Sequence, residues 1–117
     1  MQEPTFLILT ALATGPKHGH GITQEVAELS DGAVKLRAGT LYGALDRLHE
    51  QGLITVDRQE VVDGRLRRYY QLTDTGAGRL AEQARRLRKQ AAAAESRLRT
   101  RTNVAFGFTA TAFGASA

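Results

Sequence analysis

The sequence predicts a mainly α-helical fold with one small β-hairpin, arranged as a winged helix-turn-helix with a long C-terminal helix. Two segments carry this prediction. Residues 37–48 have the spacing of a short amphipathic helix, and residues 63–70 have the composition of the tip and return strand of an arginine-rich hairpin. A helix that fits a major groove, beside a basic hairpin, is the arrangement of a winged helix. We therefore expect this domain over residues 1–73, a C-terminal dimerisation helix over 74–101 and a disordered tail over 102–117.

Three short helices are predicted in the first half of the chain. In each, apolar residues recur three or four positions apart, and glycine or proline follows the last of them. The hydroxyl of Thr40 is expected to cap the third helix by accepting a free backbone N–H. The predicted helices cover residues 3–13, residues 18–29 and the segment from Gly39 to Gly52, where the buried stripe is Leu41, Ala44, Leu45 and Leu48.

Two strands are predicted over residues 53–62 and 65–72. The pair Asp63-Gly64 between them is a strong signal for a two-residue hairpin turn. Alternation along the return strand directs Tyr70 and Leu72 towards the core. The same alternation turns Arg65 and Arg67 outward, and Arg68 lies near the tip, where inward positions are also exposed.

A long helix is predicted after Thr73, whose hydroxyl is placed to cap it. Its apolar residues recur at alternating spacings of four and three, the heptad pattern of a helix that pairs with another helix. The expected partner is the same helix of a second copy, and packing of the whole helix on its own domain is the alternative. The predicted dimerisation residues are Leu80, Ala84, Leu87, Ala91, Ala94 and Leu98.

Positive charge is concentrated in the second half of the chain. Residues 1–52 contain four Lys and Arg against six Asp and Glu, whereas residues 53–101 contain twelve against six. Clustered cations favour polyanionic partners, with a solvated basic surface as the alternative. The basic run 85–89 flanks the apolar seam, and we expect it to form the solvated side of the dimerisation helix.

Composition and motifs argue against several other classes of protein. The 117 residues include no cysteine, which excludes disulfides and cysteine-ligated metals. The sequence shows no bilayer-spanning apolar run and no secretory signal pattern, so we expect no membrane partner and a cytoplasmic location. His18 and His20 have no third ligand near them in sequence, and no nucleophile motif or phosphate loop is present. We therefore expect no metal, no cofactor and no enzymatic activity.

The residues predicted to contact double-stranded DNA lie on the third helix, just before it, and on the hairpin. Base edges are read by polar side chains on one exposed helical face, and cations beside the helix can meet flanking phosphates. Arginines crowded at a hairpin tip repel one another unless an anion is bound, which favours DNA contact. The alternative interpretation is that these arginines are solvated surface charge. The predicted contacts are Lys35, Arg37, Thr40, Tyr42, Arg47, Arg65, Arg67 and Arg68.

These fragments together resemble the PadR family of bacterial transcriptional regulators, in the branch that ends with a single dimerisation helix. The resemblance is colinear over residues 5–80. Two features depart from the family pattern: His20 stands where a tyrosine is usual, and the chain has no tryptophan for a drug sandwich of the kind known in the family. The matching fragments are Ile8-Leu9 and Leu12, Gly15-Pro16 and His18-Gly19, the run from Gly39 to Leu48, Gly52-Leu53-Ile54, and the run from Gly64 to Gly76.

The resemblance implies a homodimeric repressor that binds a two-fold-related operator and is released by a small apolar or aromatic effector. A cleft near the dimer interface is expected to hold that effector. A winged-helix module for protein–protein assembly, without direct DNA binding, is the alternative function. The expected effector-site residues are Phe6, Leu9, Leu87 and Ala91.

Overall fold

A computed structural model of the chain describes residues 1–105. It is mainly helical with a small three-stranded antiparallel sheet, which confirms the predicted fold class. No helix within these residues is long and apolar enough to cross a membrane. The elements are α1 (Glu3–Leu12), β1 (Lys17–His18), α2 (Gly19–Leu29), α3 (Ala38–Glu50), β2 (Ile54–Val62), β3 (Arg65–Leu72) and α4 (Asp74–Ala105).

The first three helices and the sheet share one hydrophobic core. The apolar face of α3 lies in it, which confirms the predicted stripe of residues 41, 44, 45 and 48. Tyr70 is buried and Leu72 is half-buried against the core, also as predicted. The largest fully buried side chains are Ile8, Leu9, Leu12, Ile22, Val26, Leu45, Leu53 and Ile54.

The hairpin forms as the sequence predicts. Antiparallel pairing runs from Ile54 opposite Leu72 to Val62 opposite Arg65. Asp63 and Gly64 both have positive φ, 52° and 74°, which is the conformation of the two-residue turn that matches the twist of the flanking strands.

The short strand β1 was not predicted. Its two residues pair with β3, Lys17 opposite Tyr70 and His18 opposite Tyr69, so the sheet order is β1-β3-β2. Two residues are too few to show an alternating pattern, and only the distant strand β3 gives them their conformation. The predicted second helix consequently begins one residue later, with His18 at its N-cap in an extended conformation.

The start of α3 also differs from the prediction. Arg37, not Thr40, is the N-cap residue, and no side chain caps the helix. The carbonyl of Arg37 already accepts the N–H of Leu41 at 2.9 Å, so the helix begins before the Thr40 hydroxyl can act as a cap. Thr40 is left exposed in the first turn of α3.

The start of α4 is fixed by Thr73, as predicted. The backbone N–H of Gly76 donates to the Thr73 hydroxyl at 3.0 Å, and that hydroxyl donates to the Gly52 carbonyl at 2.7 Å. Gly76 is buried, and a Cβ there would overlap the carbonyl oxygen of Leu53. Because only glycine allows this approach, the first turn of α4 lies directly against the start of β2.

Helix α4 ends beyond the predicted position. The helix continues to Ala105 because no glycine or proline interrupts the sequence after Gly78 until Gly107, so residues 102–105 are not tail. Residues 106–117 of the predicted tail lie outside the described part. The first turns of α4 pack with the domain core through Leu80, and the compact unit that contains this core extends to Gln83.

Candidate nucleic-acid interface

A cleft of about 860 Å³ lies between α3, the start of α2 and the outer part of the hairpin. Tyr42 and Asp46 line it from α3, while Arg65, Arg67 and Arg68 line it from β3. The structure therefore brings four of the predicted DNA contacts to one place. The other lining residues are His18, Gly19, His20, Val62, Asp63, Leu66 and Tyr70.

Tyr42 is held at the cleft by a close approach between α2 and α3. Its side chain is 48% exposed. A Cβ built on Gly19 would lie only 2.5 Å from the Tyr42 hydroxyl oxygen, so the phenol rests where glycine leaves room. One edge of the ring is thus packed on the start of α2, and the remainder is free to meet a partner.

Four further predicted contacts do not line the cleft. They are exposed, and they lie in α3 or just before it in the sequence. Lys35 and Arg37 lie in the connection before α3, and Thr40 is in the first turn of the helix. The guanidinium of Arg47 lies 3.6 Å from the position that a Cβ on Gly43 would occupy. On α3 itself, Thr40, Tyr42 and Arg47 are exposed and lie away from the buried stripe.

The hairpin arginines differ in their surroundings, which corrects part of the sequence prediction. Arg65 and Arg68 are exposed, whereas Arg67, expected to point outward, is half-buried. Arg67 pairs with Glu60 across the ladder and is close enough to His18 on β1 to affect its pKa. The additional strand β1 therefore brings His18 close to an arginine that the sequence alone predicts to face solvent.

A stack of side chains lies at the middle of the hairpin. The guanidinium of Arg58 lies 3.9 Å from the centre of the Tyr69 ring, and the His18 ring is 5.4 Å from the same ring. Arg58 donates to Glu60 at 2.8 Å and to Asp57 at 3.0 Å. These bonds raise the pKa of Arg58 and lower the pKa of Glu60.

This arrangement sets the electrostatics of the cleft. Asp57 and Glu60 are engaged by Arg58, so they do not neutralise the tip of the hairpin. Within residues 1–105, neither Arg65 nor Arg68 has an ion-pair partner. Two exposed cations at the outer end of the hairpin are therefore available to an anion.

His18 and His20 are functional candidates that the DNA-contact prediction missed. Burial, the positive charge of Arg67 and the nearby His20 ring together lower the pKa of His18. The rings of the two histidines are 6.4 Å apart. The His18-Gly19 pair at the start of α2 can be recognised in the sequence. Its proximity to the hairpin depends on pairing with β3, more than 50 residues away.

The predicted dimerisation and effector residues have varied environments. Leu80 packs on the core of its own domain, so it is not a free seam residue. Ala84, Ala91 and Ala94 are exposed, as are Leu87 at 39% and Leu98 at 60%. Phe6 is half-buried, and Leu9 is completely buried because it faces the core side of α1, which leaves it no surface for a ligand.

Comparison with known proteins identifies the family. The chain matches the family described as "Transcriptional regulator PadR-like family" over residues 8–82. It is similar to the transcriptional regulator Rv3488 of Mycobacterium tuberculosis (strain ATCC 25618 / H37Rv), with 43% identity over 84 residues that span 72% of this chain and 75% of the relative.

Solved structures share the fold. A PadR family transcription regulator from Clostridium difficile R20291 superposes with a TM-score of 0.69 at 24% identity, covering 83% of this chain and 99% of that one. Bacillus subtilis PadR, solved in complex with operator DNA, has a TM-score of 0.63 at 25% identity, covering 71% of this chain and 47% of that one. With its winged helix, arginine-bearing hairpin and family match, this chain belongs to the PadR-like family of transcriptional regulators.

Proposed function

We propose that this protein is a homodimeric, sequence-specific DNA-binding repressor that acts in the cytoplasm. The observation that carries the proposal is the cleft in which Tyr42 of α3 meets the exposed arginines Arg65 and Arg68 of the hairpin. A major groove accepts a helix of this size, and the adjacent phosphates would lie where Arg65 and Arg68 project. The related Bacillus subtilis PadR was solved with operator DNA, which supports the same use of the fold here.

The roles of the individual residues follow from their positions. Thr40, Tyr42 and Arg47 lie on the exposed face of α3, so they are the candidates for reading base edges. Lys35 and Arg37 precede the helix and would fix its register by contacting flanking phosphates. One arginine on the helix supplies few strong base contacts, so phosphate contacts carry much of the affinity.

Dimerisation through α4 completes the proposal. A helix of 32 residues that carries exposed Leu87 near its middle and exposed Leu98 near its end has an apolar seam that needs a partner. A second copy supplies a matching seam and places two α3 helices about a two-fold axis. Such a dimer reads two half-sites on one side of the duplex.

Release by a small apolar or aromatic molecule is the regulatory part of the proposal. Support comes from the family and from the exposed surface around Leu87 and Ala91. Phe6 remains the candidate from α1, since Leu9 is enclosed in the core. Such a ligand would act by binding the DNA-competent and DNA-free arrangements of the dimer with different affinities.

The direct test is binding to the protein's own promoter region, measured by fluorescence anisotropy and footprinting. We expect a footprint with two half-sites about 10 base pairs apart, the distance at which two copies of α3 meet the same side of the duplex. Inserting about 5 base pairs, half a helical turn, between the half-sites is expected to abolish joint binding. If the effector site lies on this seam, a compound that releases the DNA must lose its effect on an Ala91→Trp protein that still dimerises and binds the operator.

Two outcomes would contradict the proposal. Unchanged affinity after the insertion would mean that the two α3 helices do not read the operator together. Binding no tighter to promoter fragments than to random DNA, together with capture of a defined protein partner, would favour the assembly-module alternative.

A further inference from the structure

The C-terminal part of α4 carries an unbalanced charge. From Ala84 to Ala105 there are seven basic side chains and one acidic one, Glu95. Two such helices repel each other in every arrangement in which this carboxylate does not pair with a basic side chain of the other helix. Within the described residues, neither Glu95 nor Arg88 has an ion-pair partner in its own chain. The position of Glu95 relative to the seam therefore restricts how a second copy can bind.

Arg88 and Glu95 occupy equivalent places beside the apolar seam. They are seven residues apart, and each directly follows a seam residue, Leu87 or Ala94. Seven residues are two turns of helix, so both side chains flank the seam on the same side. In an antiparallel pair, positions of this kind face each other across the interface.

Three antiparallel registers bring the seams together, and they differ in which charges meet. If Leu87 faces the partner's Ala91, Arg88 of one copy faces Arg88 of the other. If Ala94 faces the partner's Leu98, the two copies of Glu95 face each other. Only the intermediate register, with Leu87 opposite the partner's Leu98, places Arg88 against Glu95.

A parallel pair is less favourable on the same grounds. It would set Arg101, the next position of the seam after Leu98, against its own copy in the interface. It would also place Arg88 beside the partner's Gln83 and Glu95 beside the partner's Gln90, without opposite charges. The intermediate antiparallel register is therefore the arrangement that relieves repulsion.

Side-chain size favours the same register. In this register Ala91 faces the partner's Ala94, and by symmetry Ala94 faces the partner's Ala91. Four alanines therefore form the centre of the interface. Pairs of Leu87 and Leu98 enclose this centre at both ends. Small central residues allow the helices to approach closely, and the leucines, both exposed in the single chain, cover the ends.

We propose that two copies of α4 pair antiparallel about a two-fold axis between residues 92 and 93, with Arg88 of each copy bound to Glu95 of the other. This inference rests on the proposed homodimer and specifies its orientation and register. Leu80, which packs on its own domain core, takes no part in the seam.

Disulfide cross-linking of the full-length protein tests the register, because the native chain contains no cysteine. In an equimolar mixture of Ala91→Cys and Ala94→Cys proteins, we expect disulfide-linked dimers under mild oxidation. Each variant alone is expected to stay unlinked, and so is Ala92→Cys, whose position points away from the seam. Cross-linking of Ala91→Cys with itself would indicate a parallel pair and overturn the proposal.

Charge reversal tests the ion pair by a separate measurement. Arg88→Glu is expected to raise the dimer dissociation constant by about tenfold, because two attractive pairs become repulsive. The double variant Arg88→Glu/Glu95→Arg is expected to restore dimerisation, and Arg85→Glu, with the same change in net charge, to leave it intact. Equal weakening by Arg85→Glu and Arg88→Glu would overturn the pairing.

Sedimentation of the unmodified protein separates the two levels of the proposal. A monomer at micromolar concentration would overturn the homodimer and this register together. A stable dimer that gives no mixed cross-link between positions 91 and 94 would overturn only the register.

Discussion

The charge at the tip of the hairpin gives a quantitative prediction for DNA binding. We expect the variant Arg65→Ala/Arg68→Ala to bind the operator more weakly and with a smaller dependence on salt. Each cation that neutralises a phosphate contributes about 0.9 to the slope of log affinity against log salt. In a dimer the double variant removes four cations, so the slope is expected to fall by about 3.6.

The structure indicates which arginines should produce this effect. Arg65 and Arg68 are exposed and have no ion-pair partner within residues 1–105, so each can release a counterion when it meets a phosphate. Arg67 is half-buried opposite Glu60, and its positive charge helps to lower the pKa of that carboxyl, so its charge is already engaged in part. Arg67→Ala alone is therefore expected to change the slope less than either exposed arginine does.

Fluorescence anisotropy over a salt series measures the effect. Between about 50 and 200 mM salt, the unmodified protein is expected to lose about 150-fold more affinity than the double variant. The matched control is Arg85→Ala/Arg99→Ala, which removes the same charge from α4. If the double variant keeps the original slope, the hairpin does not contact phosphates. If the control reduces the slope equally, the effect reports net charge and not position.

Two further predictions concern stability. Gly76→Ala is expected to lower the free energy of unfolding by about 2 kcal/mol, because the new Cβ would overlap the Leu53 carbonyl. Gly78→Ala, whose new Cβ meets open space, is expected to raise it by about 1 kcal/mol. Urea denaturation compares the two variants, and equal effects would contradict the packing argument. Burial and Arg67 lower the pKa of His18, so this group stabilises the fold above 6.5, its ordinary pKa, and loses that contribution as the pH falls below it. His18→Gln is expected to reduce this acid sensitivity, and an unchanged pH profile would refute it.

Local patterns predicted most of the secondary structure because their causes are local. The apolar stripe of α3 repeats at helical spacing, and Asp63-Gly64 adopts the positive φ angles that its turn requires. The Thr73 cap was predictable for the same reason, since its hydroxyl acts within three residues. Such features need no knowledge of distant parts of the chain.

The errors arise where distant segments decide the structure. Strand β1 exists because it pairs with β3, and the same pairing brings His18 close to Arg67. Leu80 fits the heptad pattern, but the close approach that Gly76 permits places the start of α4 on the domain core. A periodic pattern shows that a face is apolar without showing what covers it.

The hairpin shows how strand register converts a nearly balanced sequence into a polarised surface. Residues 57–68 contain four arginines and three carboxylates, a composition that by itself indicates little net charge. Two of those carboxylates bind Arg58, which lies against the Tyr69 ring in the middle of the hairpin. Because they are engaged there, the positive excess lies at the outer end, beside the exposed face of α3. A DNA phosphate approaching the cleft would therefore meet positive charge first. In another strand register the same residues could form neutral pairs at the tip, and the phosphate would meet no net charge there.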